Sequence, residues 1–395
     1  MNENIHIIVF TGRHPVLSFF IKQFLKFLDE KSIDHYLVNA DDPSTYNCDA
    51  FDKYAAQPDT VVFMFNNIGA GLKASDDESF WKIHNIPVFN CLVDHPRNFG
   101  DTLRNPICDI YAFALDPDHI TFMKEHYPLL KGIFFSPNGG TDFHGNIPYT
   151  DRKIDVLYTG SCQPAVDSYP VVNLFSDNGA DYYYQTILYM LNDPSLSTDD
   201  AIALYLKTNN INLSEEEKYY LITLTSNEIE HTLRHKTKLE GIKALDEAGV
   251  HVEIFGSSWI DPEYPFSDNI TIHEWIDIND LLPMICNAKI SLCFIPWFKK
   301  GCSEKNFDAM LNGSLCVTDS SDYLRKNYKD GYNLIFFDLN NPAQMAADVK
   351  WLLDNPQTAA AIAAKGYETA SKYDTWDNRF EDILAKMFEV IAGNT

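Results

Sequence analysis

Short, continuous apolar segments that alternate with helical patterns limit most strongly what this chain can fold into. The first such segment, residues 5–10, is followed by Thr11-Gly12 and then by a helical apolar pattern at 16–27. Apolar segments without polar alternation are typical of strands buried on both faces, as in parallel sheets covered by helices. The alternation therefore predicts an α/β protein built on doubly wound, Rossmann-like parallel sheets.

The alternation occurs in two series, separated by a polar segment rich in glycine and proline at 137–148. The first series has predicted strands at 5–10, 35–38, 60–65, 87–93, 110–115 and 132–135. The second has predicted strands at 153–158, 250–255, 269–273, 289–295 and 314–318. A length of 395 residues exceeds one typical core. We therefore expect two domains, 1–150 and 151–375, whose carboxyl strand edges face each other across a cleft.

Two further segments are helical without strands. Residues 164–234 are polar, and this pattern predicts a helical insertion in the second domain. The chain ends in helical patterns, the last of them within 376–395.

The net charge and the cysteine pattern indicate which partners and which cellular compartment to expect. A formal net charge of -25 argues against nucleic acid as a partner, but it still permits a small cation cluster around a diphosphate. The sequence predicts no secretory leader and no transmembrane helix, and it leaves peripheral membrane contact open. Eight scattered cysteines without CxxC spacing indicate free thiols in a reducing compartment. We expect a cytoplasmic protein without a metal site.

The most informative segment is a predicted helix between two strands of the second series. Ser303 is placed to cap this helix, with Lys305 and Asn306 in its first turn and Gly313 just past its end. Free N–H groups at a helix start suit a diphosphate. One turn further, the Asp308 carboxylate can accept hydrogen bonds from both hydroxyls of a ribose. An ordinary, well-capped helix explains the same spacing, so both interpretations stay open.

Seven more candidates of the second series lie near strand ends or on one helix face. A glycine and a serine after the first strand permit close approach of a phosphate, or simply form a tight turn. A glycine, a histidine and a tryptophan near two other strand ends either frame a nucleobase or only pack. An arginine and a lysine on one helix face either neutralise a diphosphate or are solvated. In that order, these residues are Gly160 and Ser161; Gly256, His273 and Trp275; Arg234 and Lys238.

Polar side chains also follow strands of the first series. Asp94 and His95 come directly after residues 87–93, at a predicted carboxyl edge. Histidine can deprotonate an acceptor hydroxyl near neutral pH, and Asp94 can fix its tautomer or act as the base itself. A structural role for the pair is equally open. Asn66 and Asn67, after the third strand, can hydrogen-bond an acceptor glycan.

Residues 302–319 resemble the C-terminal pattern of GT-B glycosyltransferases, in particular the CgeB-like (spore maturation protein) group. That group has a run similar to R-x-F-E-A-x-x-x-G-x-x-x-x-T-D, and Lys305 and Asp308 stand here in place of its arginine and glutamate. In related GT4 enzymes two glutamates lie eight positions apart, and Lys300 stands where the first is expected. The positions that match are Phe307, Ala309, Gly313, Thr318 and Asp319. Weaker similarity extends over most of residues 153–391.

This resemblance implies a GT-B, metal-independent hexosyltransferase that uses a UDP- or GDP-linked sugar and no cofactor. The acceptor would be a hydroxyl of a glycan, a protein or a small molecule, as in cell-surface polysaccharide synthesis. Residues 376–395 would cross back to the first domain, which binds the acceptor near Gly12, Arg13 and His14. The implied donor-binding residues of the second domain are Gly160, Ser161, Arg234, Lys238, Gly256, His273, Trp275, Lys300, Ser303, Glu304, Lys305, Asn306 and Asp308.

Other functions remain open at the level of sequence. Lys300 in place of a glutamate favours a non-catalytic nucleotide-sugar or glycan-binding protein on the same fold, and an epimerase or phosphorylase is a third possibility. Asp116-Pro117-Asp118 resembles the metal-binding DxD of GT-A enzymes. Its position before a helical pattern instead predicts a helix cap, with proline at the first helical position.

Overall fold

The computed structural model describes residues 5–12, 14–75, 78–145, 147–162, 172–175, 179–259 and 264–393. The chain divides into two compact units, one of Met1–Gly139 with Thr375–Thr395 and one of Gly140–Asp374. The change from one unit to the other falls inside the predicted linker. Each unit contains a six-stranded parallel sheet, so the predicted fold class is confirmed.

The strands of the first unit are β1 (His6–Thr11), β2 (His35–Asn39), β3 (Thr60–Phe65), β4 (Lys73–Ser75), β5 (Glu78–Ser79), β6 (Val88–Leu92), β7 (Ile110–Ala114) and β8 (Gly132–Phe135). β4 and β5 form a small hairpin, and the other six form a sheet of order β2-β1-β3-β6-β7-β8 in which all pairs are parallel. The central β3 is buried at every residue, as its continuous apolar sequence predicts. The strand order reverses between β1 and β3, and ligands of such sheets bind outside the carboxyl ends at this switch point.

Six helices of the described residues belong to the first unit, and one of them comes from the C-terminal part of the chain. They are α1 (Pro15–Glu30), α2 (Asp49–Ala55), α3 (Phe80–Ile83), α4 (Gly100–Leu103), α5 (Pro117–His126) and α14 (Trp376–Ile391). The rings of Phe20 and Trp376 lie 4.5 Å apart, and those of Phe24 and Phe380 lie 4.9 Å apart. This aromatic contact holds α14 against α1 within the first unit.

The strands of the second unit are β9 (Ile154–Thr159), β10 (Val252–Phe255), β11 (Ile270–His273), β12 (Ala288–Cys293), β13 (Leu315–Thr318) and β14 (Ile335–Phe336). They form a sheet of order β11-β10-β9-β12-β13-β14 that is also parallel throughout. The two-residue β14 was not predicted, because so short a strand leaves no periodic pattern. The order reverses between β9 and β12, which places the switch point of this sheet above them.

The helices of the second unit include the predicted insertion. They are α6 (Ala180–Asn192), α7 (Thr198–Thr208), α8 (Glu215–Glu247), α9 (Ile278–Cys286), α10 (Glu304–Leu311), α11 (Asp322–Asn327), α12 (Pro342–Asp354) and α13 (Pro356–Tyr373). The first two pack with α8 around their own core, which includes Tyr182 and Leu233. Sequence pattern placed a helix start near 232, but α8 runs unbroken from a capping box at Ser214. Residues 163–171 and 176–178 of the predicted insertion lie outside the described residues.

All eight cysteines are free, and seven of them are buried, as expected from their apolar surroundings in sequence. Burial alone raises the pKa of the Cys91 thiol, which keeps it protonated and unreactive. Across the described ranges, every helix is too short or too polar to cross a membrane.

Candidate functional site

The candidate donor site lies at the carboxyl ends of β9 and β10 in the second unit, where two loops touch. The N–H of Gly160 donates to the carbonyl of Phe255 over 2.9 Å. A Cβ on Gly256 would lie 2.4 Å from the carbonyl oxygen of Gly160 and 2.8 Å from the N of Ser161. The N–H of Ser257 donates to the Ser161 hydroxyl over 3.1 Å. Glycine at 256 is therefore required by close backbone approach, and the two loops form one surface.

Two lysines reach this surface from distant parts of the sequence. The ammonium of Lys305 donates to the carbonyl of Thr159 over 2.8 Å, and that of Lys238 donates to the carbonyl of Ser161 over 3.0 Å. No carboxylate of the described residues forms an ion pair with either lysine. Burial, and then the charges of Lys305 and Arg234, lower the pKa of Lys238 to about 7. Two uncompensated cations beside a glycine loop favour a bound anion.

Arg234 extends this cation cluster along the same face of α8. Its guanidinium lies 3.9 Å from the centroid of the Trp297 ring and 3.3 Å from Glu230. The ammonium of Lys238 lies 5.9 Å from the same ring. A tryptophan face attracts cations, so Trp297 positions both side chains. Trp297 was not predicted as a site residue, although an aromatic residue shortly after a strand end is a usable signal.

The start of α10 has the predicted cap. The hydroxyl of Ser303 accepts from the N–H of Lys305 over 3.4 Å, and the N–H of Ser303 donates to the side chain of Asn306 over 3.2 Å. Glu304 accepts from the Ser303 hydroxyl. We predicted Asn306 as a donor-binding residue, but its side chain is fully buried and donates to Thr318 over 3.0 Å. The Asn306 amide therefore anchors the helix to β13 from the inside.

Asp308 has a different environment from the one the sequence suggests. It is 5% exposed, and one of its carboxylate oxygens accepts from the N–H of Thr141 over 2.7 Å. Asn312 completes a clamp, because its side chain donates to the carbonyl of Thr141 and accepts from the N–H of Phe143. Burial raises the pKa of Asp308 well above its usual range. The structure thus gives Asp308 a structural contact, and its predicted bond to ribose stays a prediction.

The remaining predicted donor residues lie around this core. His273 is hydrogen-bonded to Glu253, and its ring stacks on Phe255 at 4.5 Å. Trp275 is 56% exposed, so its indole is open to stacking on a planar ligand. The carbonyl of Lys300 accepts from the N–H of Tyr323 over 3.2 Å, which holds the loop after β12 against the start of α11.

In the first unit, His95 has a backbone partner that sets its tautomer. Its Nδ1 accepts from the N–H of Arg97 over 3.1 Å and caps a short 3₁₀ turn. The ring lies 4.4 Å from that of His119 and 5.0 Å from that of Phe122. Burial, with the charges of Arg97 and His119, lowers the pKa of His95 well below its usual value. The ring is therefore neutral with its proton on Nε2, and Arg97 rather than Asp94 orients it.

Asp94 is held instead by Asn66. The Asn66 amide donates to the Asp94 carboxylate over 2.8 Å and accepts from the N–H of Val93 over 3.0 Å. Asn67 accepts a side-chain bond from Asn90, and both Asn66 and Asn67 have positive φ. Asp94 is exposed, so its carboxylate is available to a ligand at the end of β6.

The other acceptor-side candidates follow β1. A Cβ on Gly12 would lie 2.9 Å from side-chain oxygens of both Asn39 and Asp41, and its φ of +118° favours glycine. His14 is exposed and precedes α1 as its cap residue. Arg13 lies outside the described residues.

The DxD-like sequence is a helix cap, as predicted. The carboxylate of Asp116 accepts from the N–H of Asp118 over 2.8 Å, and Pro117 opens α5. Asp116 itself is buried, with 2% exposure.

Comparison with known proteins defines the fold. Residues 234–385 match the family model described as "Glycosyl transferase-like". Sucrose-phosphate synthase from Thermosynechococcus elongatus matches at 11% identity with a TM-score of 0.55, over 99% of this chain and all of that one. The chain has the GT-B fold. T4 phage BGT in complex with UDP and Mn²⁺ matches at 10% identity and TM-score 0.53, covering 97% of this chain and 99% of that one.

Another solved structure supports the same fold. Anabaena HepE in complex with UDP-glucose matches at 11% identity with a TM-score of 0.51, over 98% of this chain and all of that one. No curated protein matches the chain. The residues that match the family model, 234–385, include Arg234, Lys238 and Lys305, whereas Gly160 lies before this range. It thus includes all three cations of the candidate donor site.

Proposed function

We propose that the chain is a glycosyltransferase that moves a sugar from a nucleotide-diphosphate sugar to an acceptor hydroxyl. One observation supports this most directly: Lys238 and Lys305 converge on the Gly160 loop without a carboxylate partner among the described residues. Both lysines are partly buried, and desolvated cations are stabilised by a bound anion. A diphosphate would supply the missing negative charge.

The same cations give a chemical role to the site. When the bond between the sugar and the diphosphate breaks, negative charge grows on the departing oxygen. Lys238 and Lys305, held by backbone carbonyls, are fixed before the reaction and therefore stabilise this charge at little reorganisation cost. Their positive charge replaces that of a metal ion, so we propose that transfer needs no metal and no cofactor.

The first unit would bind the acceptor, and Asp94 is the better candidate for its base. Nδ1 of His95 is already occupied by a backbone N–H, and Nε2 carries the proton, so neither nitrogen can accept one in this state. Asp94 is exposed and oriented by Asn66. A carboxylate in this position can accept the proton of a sugar hydroxyl as the new bond forms.

Narrower features complete the proposal. The matches to Lys305–Asp319 support a place in the CgeB-like group and a hexosyl donor. Two similar structures hold UDP or UDP-glucose, which supports a UDP-linked donor over a GDP-linked one. Eight free cysteines support a cytoplasmic enzyme. The acceptor would then be a glycan, protein or small molecule used in cell-surface polysaccharide synthesis.

The test is a calorimetric titration with UDP-glucose, GDP-mannose and dTDP-glucose, followed by an assay of nucleotide release. Lys238→Met and Lys305→Met remove charge at similar side-chain length, and Lys372→Met on α13 is the control. We expect each site variant to lose at least about tenfold in affinity for the preferred donor, the effect of about 1.4 kcal/mol. Equal affinity in all three variants would contradict the proposed donor site.

A second candidate, a non-catalytic nucleotide-sugar-binding protein, is favoured by Lys300 in the position expected for a glutamate. The release assay separates the two functions. Donor binding without nucleotide release, in the presence of a broad set of glycan acceptors and of water alone, would support the binding protein.

A further inference from the structure

A second cavity of the second unit lies away from the Gly160 loop. It has a volume of about 630 Å³ and opens at the carboxyl ends of β13 and β14. One wall is the loop Asp193–Ser195, which follows α6 and so belongs to the inserted helices. Gly160, Lys238 and Lys305 do not line it. The insertion therefore creates a cavity that the two-sheet fold alone would lack.

Lys299 is the unusual group in this cavity. It is only 7% exposed, yet its ammonium forms no hydrogen bond and no ion pair with a described residue. Burial lowers the pKa of Lys299, while Asp319, Asp193 and Glu230 oppose this shift through space only. Lys299 also borders a neighbouring cavity of about 270 Å³. The Lys299 side chain is thus largely buried while its ammonium lacks a hydrogen-bond partner among the described residues, so this ammonium can pair with an oxyanion bound in the cavity.

Four carboxylates of the described residues line the cavity, those of Asp193, Asp319, Asp322 and Asp338, and backbone N–H groups hold the first two. Asp319 accepts from the N–H of Ile295 over 2.6 Å, and Oδ1 of Asp193 accepts from the N–H of Ser195 over 3.0 Å. They are fixed in place and do not reach Lys299. The second oxygen of Asp193 has no hydrogen bond with a described residue, so it can accept a hydroxyl from a ligand.

The rest of the lining suits a carbohydrate ring. Lys300 and Arg325 add positive charge near Lys299, and Arg325 donates to the hydroxyl of Ser320 over 2.7 Å. Phe336 and Phe337 give an aromatic surface on which the apolar face of a sugar can pack. Cations, fixed carboxylates and aromatic rings in one cavity combine recognition of an anion with recognition of hydroxyls.

We propose that this cavity binds a saccharide with a phosphate or carboxylate group, whose oxyanion pairs with Lys299. The ring hydroxyls would bond to Asp193, and the ring would pack on Phe336 and Phe337. The cavity shares Lys300 with the predicted donor-binding residues, but Gly160, Lys238 and Lys305 do not line it, and the proposal does not depend on the proposed function. Whether the oxyanion is phosphate or carboxylate is decided by which probe binds more tightly.

The test uses calorimetric titration of the full chain with glucose 6-phosphate, glucuronate, glucose and inorganic phosphate. We expect at least one anionic sugar to bind, and to bind at least tenfold more tightly than either glucose or inorganic phosphate. Lys299→Met should weaken that binding at least tenfold and leave UDP-glucose affinity within twofold. Arg325→Met is a second variant at an exposed position, and it should weaken the same ligand if Lys299→Met fails to fold.

Two controls separate this proposal from the donor site. Lys372→Met should bind the anionic sugar as the wild type does, and Lys238→Met should do the same while losing UDP-glucose. No binding of either anionic sugar, or equal binding of inorganic phosphate, would overturn the proposal. So would loss of the anionic sugar in Lys238→Met alone, because the sugar would then occupy the donor site.

Discussion

Gly256 is in direct contact with Gly160, since a Cβ at position 256 would lie 2.4 Å from the carbonyl oxygen of Gly160. Gly256→Ala must therefore move the loop that includes Ser161, whose carbonyl holds Lys238. We expect UDP-glucose affinity to fall about tenfold or more, and the free energy of unfolding to fall by about 1–3 kcal/mol. Gly71→Ala is the control, because nothing lies within 4 Å of a Cβ there. Urea unfolding and calorimetry measure both effects, and unchanged donor affinity in Gly256→Ala would contradict the prediction.

Donor binding should depend on pH through Lys238. The pKa of its ammonium is lowered to about 7, so the free protein loses this charge as pH rises from 6 to 8. A bound diphosphate favours the protonated form and raises that pKa, so affinity must fall with rising pH. We expect a loss of about tenfold between pH 6 and pH 8 for UDP-glucose. Calorimetry should show a much shallower dependence for Lys238→Met, and the same slope in both proteins would assign the effect to another group.

Asp94 and His95 should differ in their effect on turnover. Asp94→Asn keeps a side-chain acceptor for Asn66 but removes the proposed base, so we expect transfer to slow by about 10²-fold or more. His95→Asn keeps a residue that can cap the turn at Arg97 and should retain most activity. Donor affinity should stay unchanged in both variants. A severe loss in His95→Asn, with an active Asp94→Asn, would make the histidine the base instead.

Substitutions of Asp308 distinguish a structural role of its carboxylate from a role in binding the ribose of the donor. Asp308→Ala leaves the partly buried N–H of Thr141 without its acceptor, so we expect the free energy of unfolding to fall by about 1–3 kcal/mol. Asp308→Asn keeps an acceptor oxygen and avoids the buried charge, so it should be closer to wild type. Urea denaturation gives the comparison. Wild-type stability in Asp308→Ala, combined with lost UDP-glucose binding, would favour the ribose contact that the sequence suggests.

Transfer should continue after removal of divalent metals. Lys238 and Lys305 lie at the proposed diphosphate position and supply positive charge there. We therefore expect turnover in excess EDTA to stay within about twofold of the untreated rate, as general electrostatic stabilisation does not require a metal. Nucleotide release with and without added Mg²⁺ or Mn²⁺ measures this. A loss that added metal restores would show that the cations are insufficient.

Local sequence predicted much of the fold and parts of the site. Alternating apolar segments predicted two parallel α/β sheets, whereas the β4–β5 hairpin, α11, the two-residue β14 and the full length of α8 were not predicted. Ser303 and Asp116 were predicted as helix caps because a cap depends on residues within one turn. Sequence left several roles open for Asp94 and His95, and their partners, Asn66 and the N–H of Arg97, are not specified by the residue types alone.

What sequence alone determined is the strand–helix alternation, because burial on both strand faces is visible in neighbouring residues. Tertiary structure decided which backbone carbonyls the predicted cations of the candidate donor site contact. Lys305 meets Thr159 across 146 positions, and Lys238 meets Ser161 across 77. It also turned Asp308 towards Thr141 and left the largely buried Lys299 without a hydrogen bond to any described side chain. Such contacts depend on how segments distant in sequence pack and on which side chains the packing removes from water. The pattern of neighbouring residues does not specify either.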